Sequence, residues 1–515
     1  MGILRLFAPQ STFDPKNPDQ YFRTDHIKAE IKGRTVRGGV VTAASQLLKQ
    51  SLSIGSVIVL ARLLTPQETG LVAMVMVVTG FIETLNDFGL SAAMVQQDEI
   101  NQRQVSTLFW INIAFGTLLS LVTALLAPAV AWFYSEPRLT LITLVTASTF
   151  FFTGLTFQHR ALLRRQMFFT SLEMIDLVAT VVSVIVGIGA ALAGFGYWSL
   201  VLMRLAAVVM AIVGVWTICP WRPSYPTRRS GVRSMLGFGS YLVSYRIVNY
   251  VARNLDNLLI GRFYGAVQLG LYARAYGLLL LPLTRINDPF AGVAWPALAR
   301  LIDSPPRYRQ AYTRIVSTVC LVTMPLVAFM VGTADWFVFV LLGPQWAEAS
   351  AIFAWLGISG LIEPFSSTTG WLFLSQGRTR DQFHWSLIST PIIITSILAG
   401  LPWGPVGVAA AYGVVGLVIR MPLLFWFVGR SGPITAKDLY RALAPFACVS
   451  CAVLLSLFAF RQWAAGPNPL INLLEGAGIT GVVSLIVLAT LPSGRIVLQD
   501  LKSLPALFRI GKSSA

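Results

Sequence analysis

The stretch "YRIVNYVARNLDNLLIGRFYGAVQLGLYA", residues 245–273, decides the fold. It lies in an apolar setting of about the 20 residues that a helix needs to cross hydrocarbon. Yet it carries Arg246, Arg253 and Asp256, with Asn249, Asn254 and Asn257 among them. Arg246, Asn249, Tyr250, Arg253 and Asn257 recur at intervals of three and four, so a helix gathers them into one stripe. A polar stripe at membrane depth must face water, a partner charge or a ligand.

The rest of the chain is built alike. Of 515 residues, 55% are apolar and only 12% charged, with a mean hydropathy of +0.68; soluble domains carry about 25% charged residues. Apolar runs predict fourteen spans, at 39–61, 70–94, 106–132, 139–156, 170–193, 197–218, 236–261, 267–298, 315–332, 349–374, 383–400, 405–428, 442–460 and 470–491. Only helices and closed barrels satisfy the backbone in lipid. Barrel strands alternate over about ten residues, so these continuous runs predict an all-α membrane protein. Residues 1–37 are polar and mixed in charge, without the apolar core of a signal peptide, and read as a cytoplasmic tail.

Sidedness follows from the basic residues. With the N-terminus inside, 28 of the 39 Lys and Arg fall in cytoplasmic segments, four in external loops (Arg62, Arg138, Arg262, Arg461) and seven in spans. This positive-inside bias places both termini in the cytoplasm and accounts for the net charge of +17. No basic domain stands apart from the spans, so nucleic acid is not an expected partner. Trp132, Trp198, Trp221, Trp336, Trp403 and Trp463 near span ends read as an interfacial aromatic belt.

The sequence repeats itself. "ARLLTPQETGLVA" (61–73) matches "GRFYGAVQLGLYA" (261–273) at Arg62/Arg262, Gly70/Gly270, Leu71/Leu271 and Ala73/Ala273, an offset of 200 throughout. Two parallel repeats of six spans are therefore expected, as in transporters built from similar halves. The division is an N-lobe at 38–218, a basic cytoplasmic linker at 219–235, a C-lobe at 236–428, two further helices within 429–491, and a cytoplasmic tail at 492–515.

Fifteen ionisable residues lie within the spans, each costing about 2.5–3.5 kcal/mol at a helix centre. Lipid exposure of all fifteen would cost about 40 kcal/mol, so they must pair, sit near an interface or line a wet cavity between the lobes. Arg253 with Asp256, and Arg285 with Asp288, have the spacing of intrahelical pairs. First-half spans hold two positive and four negative groups, second-half spans five and three. A basic wall suits an anionic ligand, because guanidinium forks match phosphate oxygens. Lys49, Arg246, Asn249, Arg253, Asn257, Arg274 and Arg285 are the expected substrate-binding, cavity-lining residues. Glu83 and Asp87, one turn apart, are the candidates for binding or exchanging a coupling H⁺ or Na⁺. Pro282, Pro289 and Pro296 predict a bend in the eighth span.

Catalysis is not expected. External loops are short and the longest, roughly 333–348, is half apolar without paired carboxylates and a catalytic partner. "GKSS" at 511–514 mimics the end of a phosphate loop, but Ala506 stands where the leading glycine belongs. Cys448 and Cys451 have no further ligands nearby, so neither metal nor cofactor is expected.

Four phrases carry a family resemblance: "LARLLTPQETGLVAM" (60–74), "DFGLSAAMVQQ" (87–97), "RNLDNLLIGRFYGAVQLGLYARAYGL" (253–278) and "LLGPQWAEA" (341–349). With these the chain, over about residues 35–430, resembles bacterial polysaccharide exporters. Within the multidrug/oligosaccharidyl-lipid/polysaccharide (MOP) superfamily it is most similar to Wzx-type O-unit flippases of the colanic-acid-exporter branch. The resemblance implies two six-helix lobes around a central cavity plus two C-terminal helices. It implies alternating-access transfer of undecaprenyl-pyrophosphate-linked oligosaccharide across the bacterial inner membrane, with membrane lipids and other polysaccharide assembly proteins as further partners. The "RNLDN" phrase places Arg253, Asn254 and Asp256 in the family's motif. Alternatives are a peptidoglycan-precursor flippase, an ion-coupled drug antiporter, which the basic second half disfavours, and an extracytoplasmic glycan polymerase or ligase.

Overall fold

The computed structural model describes residues 22, 25–85, 94, 100–226, 233–492 and 494–495, and their side chains except at 25–41, 43, 233–246, 248, 288 and 293. Asp87 and the side chain of Arg246 lie outside the described residues. Every long regular element among the described residues is a helix. In the first half these are α1 (Asp25–Leu63), α2 (Pro66–Glu83), α3 (Gln102–Tyr134), α4 (Arg138–Gly154), α5 (Phe157–Arg165), α6 (Phe169–Leu192) and α7 (Trp198–Ile218). There follow α8 (Arg233–Ala299), α9 (Pro305–Gly332), α10 (Ala334–Leu342), α11 (Ala349–Ser375), α12 (Thr379–Gly400) and α13 (Gly404–Val415). A π-helical turn (Gly416–Arg420), α14 (Met421–Gly429), α15 (Ala436–Trp463) and α16 (Pro469–Thr490) complete the chain.

Local chemistry sets the helix ends. Capping boxes, in which each side chain satisfies the other residue's orphan amide, start α2 (Thr65/Glu68), α3 (Asn101/Gln104) and α15 (Thr435/Asp438). Gly265, at φ 78°, is the non-helical residue inside Arg233–Ala299; the three prolines lie within continuous helix. At φ 71°, Gly404 separates α12 from α13, and the two helices cross at Gly400 and Gly407, each against the other's carbonyl.

Eleven described stretches are long and apolar enough to cross a membrane, against fourteen expected spans. Two of them, Asn249–Ala299 and Thr379–Gly429, run for 51 residues. At 1.5 Å per residue a straight helix of that length would be about 76 Å, far beyond a hydrocarbon core of about 30 Å. Each is interrupted by its positive-φ glycine and overlies two expected spans. Pro66–Glu83 is missing from the eleven because it opens on Pro66, Gln67 and Glu68 and ends on Glu83.

Large apolar side chains face outward along these helices, among them Leu125 at 80% exposure, Leu455 at 70% and Ile185 at 64%. Water would not tolerate such a surface; the chain is a multi-pass membrane protein. Small residues bring neighbouring helices together: Gly116 of α3 lies on the Phe150 carbonyl of α4, and Gly154 on that of Asn112.

The chain groups into two compact units, Met1–Gly270 and Leu271–Ala515. The first thus includes the opening of α8, beyond the linker expected at 219–235. That linker's start packs into the first unit. Trp110 donates to the Ser224 carbonyl at 2.9 Å, Gln102 to that of Arg222 at 3.0 Å, and Ser106 bonds Ser224. Trp221 is buried at 1% exposure against Phe109 and His159, so it is core and not belt, unlike Trp132, Trp403 and Trp463, which are exposed. An indole finds more apolar contact between α3 and α5 than at the membrane edge.

Candidate functional site

Three cations of the first unit meet carboxylates on other helices. Lys49 of α1 reaches Glu173 of α6 at 2.6 Å, both side chains largely buried, and Gln46 donates to both Glu173 oxygens at 3.4 Å. Arg204 of α7 donates to Glu83 at the end of α2 at 2.8 Å, and Arg160 of α5 to Asp176 of α6 at 2.6 Å. These pairs span 124, 121 and 16 residues of sequence, which is why spacing along single helices did not find the first two. Lys49, expected to line a cavity, and Glu83, expected to take a coupling ion, are thus ion-paired. Removing one partner of a half-buried pair strands the other. Glu173→Gln is expected to destabilise the protein by about 1–3 kcal/mol. The exchange Lys49→Glu with Glu173→Lys should regain most of it. Thermal unfolding of the wild type, Glu173→Gln and the exchanged pair measures this; a neutral Glu173→Gln would refute it.

The stripe on the opening of α8 is divided by packing. Asn249 and Arg253 are exposed. Tyr250 turns inward, its hydroxyl donating to the Val77 carbonyl at 2.9 Å beside Gly80 of α2, where a Cβ would strike the phenol. Asn254 bonds the Tyr250 carbonyl at 2.9 Å. Asp256 is buried and accepts from the Asn257 backbone amide at 2.7 Å. The enclosed Oδ1 of Asn257 has no hydrogen-bond partner among the described residues.

Arg274 of the second unit is held differently. Arg274 of α8 is partly buried, its Nε enclosed without a hydrogen-bond partner among the described residues. No carboxylate among the described residues lies at ion-pair distance from it. Its guanidinium carbon lies 5.9 Å from the ring of the fully buried Trp346. Gly343, at φ 103°, sets the 3₁₀ turn Pro344–Trp346 and so aims that indole inward. Guanidinium over indole is a favourable cation–π contact, but it satisfies no N–H.

Arg285 is exposed. Eleven residues of helix put it about 16 Å along the axis from Arg274, so the two do not converge on one point. Asn287 is buried and donates to Ser367 at 3.3 Å, leaving Oδ1 without a partner among the described residues.

Arg420, not among the expected site residues, ends the π-helical turn, 5.6 Å from the Tyr412 ring and within electrostatic reach of Tyr276 and Glu363. Pro422 has no N–H for the Val418 carbonyl, and the ladder widens just before it. Such turns recur at functional sites. The signal was present in "IRMP" at 419–422, an arginine two residues before a proline at membrane depth.

The comparisons with known proteins bear on this arrangement. The sequence profile described as polysaccharide biosynthesis protein matches residues 59–351, more than half of the chain. The chain belongs to the polysaccharide biosynthesis protein family. Among its relatives is the Lipopolysaccharide biosynthesis protein WzxC of Escherichia coli (strain K12), 24% identical over 75% of this chain and 80% of that protein. Another is the Succinoglycan biosynthesis transport protein ExoT of Rhizobium meliloti (strain 1021), 22% identical over 89% of this chain and 93% of that one. Among solved structures, the lipid II flippase MurJ in an inward closed conformation is similar in fold, with a TM-score of 0.71 at 14% identity, over 90% of this chain and 99% of that one. The chain thus shares its all-α fold with that solved structure and its sequence likeness with WzxC. The family profile ends at 351, so it covers Arg274 and Trp346 but not Arg420.

Proposed function

We propose that this polysaccharide biosynthesis protein is a flippase that moves a polyprenyl-pyrophosphate-linked oligosaccharide across the bacterial inner membrane by alternating access, with both termini in the cytoplasm. The observation that carries the reading is the setting of Arg274. Lys49, Arg160 and Arg204 are neutralised by carboxylates, whereas Arg274, among the described residues, keeps an enclosed N–H without a hydrogen-bond partner and has no carboxylate at ion-pair distance. A buried guanidinium without a counter-ion is costly and is relieved by an anion that arrives and leaves. A pyrophosphate on a lipid is such an anion, and the guanidinium fork fits its oxygens. The relatives' names, biosynthesis of lipopolysaccharide and succinoglycan transport, support a glycan cargo, and the fold shared with a lipid II flippase supports a lipid-linked one.

The protein forms and breaks no covalent bond in this reading. Arg253 and Asn249, exposed on α8, extend the polar surface toward the sugars. The polyprenyl tail stays in lipid. Two negative charges leaving an inside-negative cell at about 100 mV gain about 5 kcal/mol, so the potential can drive export unaided. Counter-transport of H⁺ or Na⁺ through Glu83 competes with Arg204 for the same carboxylate.

Reconstitution tests this. Proteoliposomes loaded with lipid-linked oligosaccharide on one leaflet should expose it on the other, detected by a membrane-impermeant glycosidase. The glycan length should stay unchanged, and a potassium-diffusion potential should accelerate the transfer. Elongated or transferred glycan would establish the polymerase or ligase reading instead.

A further inference from the structure

A cavity of about 820 Å³ opens within the second unit between the first turns of α9 and α15. Both helices begin at this end, so both present the positive end of their dipole to it. Among the described residues four arginines line it, Arg307, Arg309 and Arg314 from α9 and Arg441 from α15, with the carboxylate of Asp438. That carboxylate is already engaged. It accepts from the Thr435 amide at 3.0 Å and hydroxyl at 2.7 Å as the helix cap, and is ion-paired with Arg309 at 3.1 Å. Arg309 also donates to the Pro433 carbonyl at 3.0 Å. Arg307 and Arg441 are exposed and reach no carboxylate at ion-pair distance among the described residues.

The depth of the cavity is legible in the sequence. After Arg314, α9 runs on as "IVSTVCLVTMPLVAFMVG"; after Arg441, α15 runs on as "ALAPFACVSCAVLLSLFAF". The arginines therefore sit where both helices enter hydrocarbon, and Ile315, Ala442 and Pro445 form an apolar inner wall. By the positive-inside count this is the cytoplasmic leaflet.

We infer that this cavity binds the phosphodiester headgroup of an anionic phospholipid, held by Arg307 and Arg441 with Arg314 behind them, its acyl chains lying along the apolar wall. Basic pockets between transmembrane helices at the cytoplasmic interface take such headgroups. The volume and the apolar wall fit a glycerophosphate with its chains better than a free phosphate ion. The inference rests on the membrane reading alone and is independent of the transport proposal, because bound lipid is read without transport.

The full-length protein in nanodiscs of phosphatidylglycerol and phosphatidylcholine tests it, with retained lipid counted by mass spectrometry after transfer to detergent. The wild type should retain phosphatidylglycerol selectively. Arg307→Gln with Arg441→Gln should weaken that retention by about 10- to 30-fold, while Arg307→Lys with Arg441→Lys should keep most of it. Equal retention by the glutamine variant, or no selectivity in the wild type, would overturn the inference. So would displacement of the phospholipid by added undecaprenyl diphosphate, which would hand the site to the transported class. Should the glutamine variant not fold, cross-linking of a photoactivatable phosphatidylglycerol to the wild type decides. Label on 305–318 and 438–445 supports the site, and label only elsewhere removes it.

Discussion

Gly270→Ala should leave less than about a tenth of the folded protein in the membrane, and Gly70→Ala should do the same. A Cβ at Gly270 would fall on the carbonyl of Pro66, and one at Gly70 on the carbonyl of Ala266. The obstacle is backbone in both cases, so no rotamer change relieves it. Overpacking costs about 1–3 kcal/mol where side chains can yield, and more is expected here; each 1.4 kcal/mol is about a tenfold shift. The two contacts are one relation seen twice. Residue 66 meets 270 and residue 266 meets 70, the reciprocal pattern of a two-fold interface, between the copies of the repeat found at an offset of 200. The double variant should therefore be less damaging than the sum of the singles. Gly55→Ala is the control: nothing lies within 4 Å of its added Cβ, and alanine favours a helix by about 1 kcal/mol. Fluorescence-detected size exclusion of the detergent extract reads all four. Wild-type recovery of Gly270→Ala would show that the helices do not cross as closely as described.

Arg274→Ala should lower translocation by about 10- to 100-fold at limiting substrate while the protein stays folded. Charge-assisted hydrogen bonds contribute about 1.5–3 kcal/mol each, and this guanidinium has an enclosed N–H to give. Arg274→Lys should lie between, because an ammonium keeps the charge and loses the planar fork. Alanine should leave stability unchanged or raise it, since it removes a buried charge without a carboxylate partner. That sign separates a binding arginine from a structural one. Trp346 beneath the guanidinium supplies a second readout. Pyrophosphate-bearing lipid should change indole emission in the wild type and not in Arg274→Ala. Wild-type transport by Arg274→Ala would sink the assignment.

Much of the fold was legible because lipid enforces a simple code. Runs such as 170–193 and 470–491 match α6 and α16 to within a residue or so, since backbone polarity forbids anything but helix there. The features that spacing does not show depend on neighbours. Trp221 reads as belt until α3 and α5 close over it. Lys49 reads as a cavity residue until Glu173, 124 positions away, arrives at 2.6 Å. The polar stripe of α8 reads as one face, yet Tyr250 is spent on docking to α2 while Arg253 stays exposed. Periodicity says which residues share a side of a helix but not what that side meets.

The amino-acid sequence by itself determined the membrane class, the helices, the repeat and the family, because each rests on composition or short-range spacing that hydrocarbon and the backbone read directly. Only the tertiary structure decided which buried charges cancel one another and which, like that of Arg274, have no carboxylate at ion-pair distance among the described residues. Ion pairing depends on distances of about 3 Å between helices far apart in the chain, and no one-dimensional pattern carries that information.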